Sequence, residues 1–239
     1  MNTHALSEAP VRSRAVGDLP FHRRFYWLVR REILENRSIY LAPLGVAVLI
    51  VIGFGFRLVR VAKLDSQDLR GEQPFTFPAL LLMGTTMLVA IFYCVDALYG
   101  ERRDRSILFW KSLPVSDHET VLAKAAIPIL VIPLITFVAT FVVQVIMLLL
   151  AGARGLDLWS GLSFGQMTWI LFYHLLLGHG FWYAPFWGWL LLASAWARRA
   201  PFLWATLPLL CVGLLEKIAF NSVHFGYWLG NRLAADPMA

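Results

Sequence analysis

The chain has 239 residues, of which 59% are hydrophobic and only 15% are charged. Soluble globular domains carry about 25% charged residues, and several runs here reach the roughly 20 apolar residues that cross a bilayer, so the composition excludes an ordinary soluble protein. The formal net charge of the chain is +6. Basic cytoplasmic loops of membrane proteins account for such an excess of Lys and Arg, so we expect no nucleic-acid partner.

The N-terminal segment predicts a surface-lying helix after a polar start. Residues 1–20 lack the apolar core of a signal peptide, and we expect a flexible cytoplasmic N-terminus. Residues 21–37 place apolar side chains on one side of a helix and arginines on the other, although Trp27, Glu32 and Leu34 interrupt this pattern. A basic amphipathic helix binds lipid headgroups, so a plain anchor and an elbow that also touches a cytoplasmic partner both stay open. The membrane-interface candidates are Phe21, Arg23, Arg24, Phe25, Leu28, Arg30 and Arg31.

The rest of the chain predicts an all-α polytopic membrane protein. The five predicted transmembrane helices are Tyr40–Phe56, Pro78–Tyr99, Val121–Ala151, Met167–Trp196 and Pro201–Ile218. We expect kinks at Pro128 and Pro133 in the third helix and at Pro185 in the fourth, because proline removes a helical hydrogen bond. The transmembrane domain therefore covers residues 38–219, and residues 220–239 form an external tail.

Positive charge predicts the orientation of these helices. The N-terminal segment and the loops after the second and fourth helices hold fourteen Lys and Arg residues, against seven on the opposite side. Cytoplasmic segments are the ones enriched in Lys and Arg. The N-terminus is therefore predicted to lie in the cytoplasm, and the C-terminus outside.

A charged loop at residues 100–120 separates the second and third helices. Glu101 and Asp96 lie near the C-terminal end of a helix, where a carboxylate opposes the helix dipole. We therefore expect them to pair with nearby arginines in the same stretch, namely Arg102, Arg103 and Arg105.

The middle of that loop predicts a short helix over Arg105–Leu113, which is apolar around most of its circumference. Its apolar residues are Ile107, Leu108, Phe109, Trp110 and Leu113, and its polar stripe contains Lys111. Such a helix must be covered on more than one side, so a cytoplasmic protein is an expected partner, although a loop without a partner also fits. Pro114 ends this helix, and Ser116 with Glu119 matches a capping box that starts the third transmembrane helix.

The stretch 98–117, LYGERRDRSILFWKSLPVSD, resembles the signature that follows the second helix in ABC-2 type transporter permeases, the membrane subunits of ATP-binding-cassette exporters. Tyr183–Trp204 is similar to the region between the fourth and fifth helices of that family, and the resemblance extends over roughly residues 20 to 220. Family members typically have six helices, whereas five are predicted here.

The resemblance implies a function as well as a fold. In that family the short cytoplasmic helix is a coupling helix that sits in a groove of an ATPase subunit. This role falls on Arg105–Leu113, with Glu101 and Arg102 beside it. The resemblance further implies a bacterial inner membrane, two permease chains, identical or different, and two cytoplasmic ATPase chains that hold ATP and Mg²⁺. Transport would proceed by exchange between inward-facing and outward-facing states.

Polar residues inside the predicted spans are Gln144, His174 and His179. The histidines are five residues apart, or about 140° around a helix, whereas paired metal ligands on a helix favour a spacing of four. We therefore expect no metal and prefer interhelical hydrogen bonds for all three, while a role in a transport pathway stays open.

Two other classes of function are weighed against a permease. An intramembrane metal-dependent enzyme would use His174 and His179, and a non-transporting scaffold would only recruit a cytoplasmic protein. The chain has no phosphate-binding Gly-Lys-Ser/Thr loop. We therefore expect no cofactor and no catalytic residues on this chain, and an ATPase, if one is involved, on another polypeptide.

Overall fold

A computed structural model describes residues 20–61, 73–105, 116–154 and 164–234. Every regular element in those ranges is helical. Residues 1–19 lie outside them, and so do most of the residues predicted to form the coupling helix, namely Ile107, Leu108, Phe109, Trp110, Lys111, Leu113 and Pro114.

The first half of the chain forms four helices. Helix α1 covers Phe21–Glu35 and ends two residues before the predicted boundary, where Asn36 leaves helical geometry with φ −100° and ψ 73° and its side-chain amide donates to the Glu32 carbonyl oxygen. Helices α2, Ser38–Val61, and α3, Gln73–Asp96, contain most of the first two predicted transmembrane helices and extend them at their N-terminal ends. A short helix α4, Tyr99–Arg103, follows α3 after two residues.

The third predicted transmembrane helix begins at a capping box, as the sequence predicts. Helix α5 covers Asp117–Ala126; the Glu119 N–H donates to Ser116 Oγ at 3.2 Å, and the Ser116 N–H donates to Glu119 Oε2 at 3.3 Å. A π-helical segment, Ile127–Val131, then joins α5 to α6, Ile132–Ala153.

The two prolines predicted to kink this helix lie in and just after the π-helical segment: Pro128 is its second residue, and Pro133 is the second residue of α6. Pro128 and Pro133 have no N–H to donate to a carbonyl four residues earlier. Around them the hydrogen bonding shifts, and the Ile132 N–H bonds to the carbonyl oxygen of Ile127, five residues earlier. The predicted disturbance is therefore a π-bulge, which is a recognised cause of helix bending.

The fourth predicted transmembrane helix is divided. It consists of α7, Phe164–Tyr173, a π-helical segment, His174–Trp182, and α8, Ala184–Trp196. The interruption at Tyr183 directly precedes Pro185 at the second position of α8, close to the predicted kink.

The C-terminal part forms two further helices. Helix α9 covers Pro201–Phe220, after a turn in which Ala200 has a left-handed backbone with φ 49°. Helix α10, His224–Ala234, lies in the segment predicted as a tail. The Glu216 carboxylate accepts from the N–H groups of His224 and Phe225 at 2.7 and 2.8 Å, which attaches the start of α10 to the end of α9.

Four helices in the described ranges are long and apolar enough to cross a membrane: Ser38–Arg60, Phe75–Arg103, Asp117–Ala153 and Pro201–Phe220. The chain is accordingly a helical membrane protein. The divided helix Phe164–Trp196 is not among these four, because each of its continuous pieces is shorter than a span.

The bundle has a shared interior. Helix α2 packs against α3 and α6, α3 also packs against α6 and α8, and α9 packs against α8. Trp187 of α8 is fully buried at the centre of one apolar cluster, and Phe75 of α3 belongs to a second. Helix α1 lies outside these spans and packs against α5, at the start of the third one.

The two π-helical segments touch each other closely. Gly180 is buried, and a side-chain carbon added to it would overlap the carbonyl oxygen of Ile129. That carbonyl is the one that Pro133, four residues later, cannot bond. Small residues permit such close backbone approach between membrane helices, so Gly180 sets the distance between the third span and the divided helix.

Candidate functional site

A cluster of buried charges joins α1 to the ends of two spans. We name Arg31, Glu32, Glu101 and Lys124 the charge cluster. The first two residues come from α1, Glu101 from α4 and Lys124 from α5. Glu32 and Lys124 are each only 2% exposed. Ionised groups tolerate such burial only when they are paired, so the pairing within the cluster decides what it does.

Glu32 is the most highly coordinated member of the charge cluster. Its Oε1 atom accepts from Lys124 Nζ and from Arg31 Nη2, both at 2.9 Å. Its Oε2 atom accepts from the Tyr93 hydroxyl of α3, also at 2.9 Å. Both carboxylate oxygens of Glu32 are therefore bound, and one side chain of α1 is attached to two different transmembrane helices.

Glu101 completes the cluster from α4. Its Oε1 atom lies 2.9 Å from Arg31 Nη2 and 3.1 Å from Lys124 Nζ. Two carboxylates and two cationic side chains are thus linked in one network of ion pairs. Charge-assisted hydrogen bonds of this kind are short and strong, and the cluster fixes the positions of α1, α4 and α5 relative to one another.

The structure adds long-range partners to the local ones that the sequence predicts for Glu101, because Arg31 and Lys124 both lie on other helices. Arg103 instead pairs with Asp104 at 3.0 Å in a largely exposed bridge, in which the two side chains are 59% and 63% exposed. Arg105 adopts a left-handed backbone with φ 59°.

Arg102 has a separate structural role. Its Nη2 atom donates to the carbonyl oxygens of Ser194 and Ala197, at 2.6 and 2.8 Å, at the C-terminal end of α8. A cation there also complements the helix dipole. The Ser194 hydroxyl in turn accepts from the N–H groups of Leu98 and Tyr99, at 3.1 and 3.0 Å. The corner between α3 and α4 is therefore fastened to α8.

A second ion pair joins α1 to the start of the third span. Arg24 Nη2 lies 3.1 Å from Glu119 Oε1. Glu119 is also the acidic member of the capping box, so the same side chain caps α5 and holds α1. Arg24 and Arg31 thus turn toward the protein, whereas the sequence prediction places them with the other arginines on the polar side of α1.

The remaining interface candidates on α1 follow the predicted amphipathic pattern more closely. Arg23 and Arg30 are exposed, and Phe25 and Leu28 are half-buried. Phe21 is 52% exposed, and its ring stacks on that of Phe25 with centroids 5.8 Å apart.

Three members of the charge cluster, Glu32, Glu101 and Lys124, line a polar cleft of about 280 Å³ together with other acidic and amide groups. The cleft also includes Glu35, Asn36, Asp96 and Asp104. Its charged groups come from the elements on both sides of residues 106–115. The cluster therefore joins α4, which precedes that loop, to α5, which follows it.

The intramembrane candidates are only partly described. His174 and His179 belong to the π-helical segment of the divided helix, and their side chains lie outside the described residues. Within the described ranges there is no group of three His, Cys, Asp or Glu residues that could hold a metal ion. Gln144 is 1% exposed on α6, and neither of its amide atoms has a hydrogen-bond partner there. The interhelical hydrogen bond predicted for Gln144 is therefore not found.

Sequence reasoning missed Glu32 as a functional residue. The available signal was its position among the apolar residues of α1, where an acidic side chain interrupts the pattern. Comparisons of the chain with models of known families, with curated proteins and with solved structures gave no match. Function is therefore inferred from the geometry above and from the resemblance of residues 98–117 and 183–204.

Proposed function

We propose that this chain is the permease subunit of an ABC-2 type exporter in a bacterial inner membrane. It converts the ATP cycle of separate cytoplasmic ATPase subunits into movement of its transmembrane helices. The proposal includes five spans, with the divided helix Phe164–Trp196 as the fourth, and a cytoplasmic N-terminus. A transporter would contain two permease chains and two ATPase chains, and ATP and Mg²⁺ would be held by the ATPase chains.

The charge cluster is the observation that carries this proposal. Residues 106–115 connect α4 to α5, and both of these helices contribute to the cluster through Glu101 and Lys124. The helices before and after the loop are therefore joined to each other, and Glu32 joins α5 to α1. A protein that pushes on this loop would move α5, and with it the third span, instead of only bending the loop.

The burial of the cluster supports a mechanical role. Ion pairs that are shielded from water are screened little by salt, and their bound atoms have few alternative partners. Because the carboxylates and cations in the cluster are bound mainly to one another, the arrangement favours transmission of force over proton transfer or nucleophilic chemistry. Alternating access requires such a connection between an ATPase and the transmembrane helices.

The first experiment tests the partner. The full chain, carrying an affinity tag, is purified from its native membrane, and the subunits that accompany it are identified by mass spectrometry. We expect an ATP-binding-cassette ATPase, and we expect Phe109→Ala with Trp110→Ala to remove it while membrane insertion is retained. If the intact chain retains no such ATPase, the proposal is wrong.

The second part of the experiment tests coupling in nanodiscs. Glu101→Gln keeps the size of the side chain and leaves the Lys124–Glu32 pair in place, so we expect the ATPase to stay bound. ATP turnover should fall about tenfold, which corresponds to about 1.4 kcal/mol, because α4 is no longer held by charge. Asp104→Asn, which changes an exposed carboxylate three residues later, is the matched control and should have little effect. A bound ATPase with no ATP-dependent transport in the intact protein would instead indicate a scaffold.

A further inference from the structure

A second buried polar region lies on the third span, away from the charge cluster. Thr136, Thr140 and Gln144 recur every four residues on α6 and therefore share one face of the helix. They are 0%, 1% and 1% exposed, respectively. All three line a cavity of about 250 Å³ between α3, α6 and α7.

Two of these side chains have unused hydrogen-bonding groups. Thr136 Oγ1 donates to the Ile132 carbonyl oxygen of its own helix at 2.8 Å. Within the described ranges, Thr140 Oγ1 and both amide atoms of Gln144 have no hydrogen-bond partner. Buried polar groups are nearly always satisfied in folded proteins, and leaving them unpaired costs stability. A primary amide and a hydroxyl that face the same cavity together offer both donors and acceptors.

The rest of the cavity wall is mainly apolar and reaches the outer surface of the bundle. Leu80 of α3 and Ile170 of α7 line the cavity and are 61% and 50% exposed. On a membrane span such exposed side chains face the bilayer, so a molecule dissolved in the hydrocarbon can enter between α3 and α7. Typical small-molecule pockets measure about 300–1,000 Å³, so this cavity suits a small molecule or one end of a longer one.

We propose that this cavity binds the uncharged hydrogen-bonding end of a membrane-dissolved amphipathic molecule, such as an alcohol or an amide. Gln144 and Thr140 bind the polar end, and the apolar remainder lies against Leu80, Met83 and Ile170. A charged end group is disfavoured because the cavity wall contains no charged side chain among the described residues, and charge is costly in hydrocarbon. The inference does not depend on an ATPase partner, because binding occurs on this chain.

The test uses the full chain in phosphatidylcholine nanodiscs and a diazirine derivative of octanol as the photolabel. We expect saturable labelling of the peptides that line the cavity, and we expect unlabelled octanol, but not octane, to compete. Gln144→Leu should reduce labelling about tenfold, because a hydrogen bond to the probe is lost. Thr206→Val is the matched control, since it removes an exposed hydroxyl from α9, outside the cavity, and it should label as the wild type does.

A separate measurement distinguishes binding from a structural role of Gln144. If the side chain serves the ligand, Gln144→Leu should unfold at the same or a higher temperature than the wild type, since it removes unpaired polar atoms from the interior. A lower Tm, unchanged labelling of this variant, or equal competition by octane would each overturn the proposal. So would cross-linking between Ile170→Cys chains across this face without labelling by octanol, because the occupant would then be a second copy of the chain.

Discussion

The charge cluster and the cavity on α6 both bury polar groups almost completely, but they treat them differently. Lys124 is 2% exposed and lies within 3.1 Å of two carboxylates. Gln144 is 1% exposed and, within the described ranges, its amide has no partner. Burial alone therefore does not indicate the function of a polar group. The informative property is whether the buried group already has a hydrogen-bond or ion-pair partner.

This difference indicates that the charge cluster is a junction between helices and that the cavity on α6 is a binding site. In the charge cluster, groups from α1, α4 and α5 bind one another, the Tyr93 hydroxyl of α3 also bonds to Glu32, and the result is a fixed junction. On α6, polar groups from one helix face are held in an open cavity, and their hydrogen-bonding capacity is available to a ligand. Polar groups that cost stability are common at functional sites, so the two regions make opposite predictions for substitution.

The largest expected effect follows from removing Lys124. Lys124→Met removes a cation that lies within 3.1 Å of both Glu32 and Glu101, and uncompensated buried charge costs about 3–5 kcal/mol. We expect a low yield of folded protein and a markedly lower Tm, measured by thermal unfolding in detergent. Combining this change with Glu32→Gln removes one negative charge and should recover part of the loss, since contacting residues are not additive.

An exposed ion pair provides the control for that experiment. Arg103→Gln breaks the bridge to Asp104, in which both side chains are more than half exposed. Surface pairs contribute about 0–1 kcal/mol, so this variant should unfold close to the wild type. Equal Tm values for Lys124→Met and Arg103→Gln would contradict the assignment of the cluster as a junction.

The next effect concerns the contact that holds the divided helix beside the third span. Gly180→Ala places a methyl group against the Ile129 carbonyl oxygen. Neither the methyl group nor the backbone oxygen can rotate away, so the two helices must separate. Overpacking of this kind costs about 1–3 kcal/mol. The matched control is Gly178→Ala in the same π-helical segment, where an added carbon meets no atom within 4 Å. Similar Tm values for the two variants would show that this contact does not set the helix spacing.

Local features of the fold were predictable from the sequence, because they depend on neighbouring residues. The capping box at Ser116 follows from four consecutive residues, and the disturbances near Pro128, Pro133 and Pro185 follow from the missing proline N–H. The helix α10 was missed because its sequence is too polar and short for a span. Its start is fixed by Glu216, eight residues before His224.

The candidate site was much less predictable. Glu101 was identified as important, but its partners Arg31 and Lys124 are 70 and 23 positions away in the sequence, so only packing of α1 against α5 brings them together. Glu32 was visible only as an interruption in an amphipathic pattern. For Gln144 the sequence indicated burial in a span, but it contained no information on whether a partner lay opposite.

The smallest expected effect on Tm comes from two threonines on one face of α6. One of them has a paired hydroxyl and the other an unpaired one, so they repeat within a single helix the contrast between the charge cluster and the cavity. Thr136 Oγ1 donates to Ile132, whereas Thr140 Oγ1 has no partner in the described ranges. Valine has nearly the shape of threonine, so Thr136→Val should cost at most about 0.5–1.5 kcal/mol, the net value of a hydrogen bond. Thr140→Val loses no such bond and removes an unpaired polar group, so its Tm should equal or exceed that of the wild type. The reverse order of the two Tm values would show that Thr140 is bound within the protein, and the cavity would then lose one of its two polar contacts.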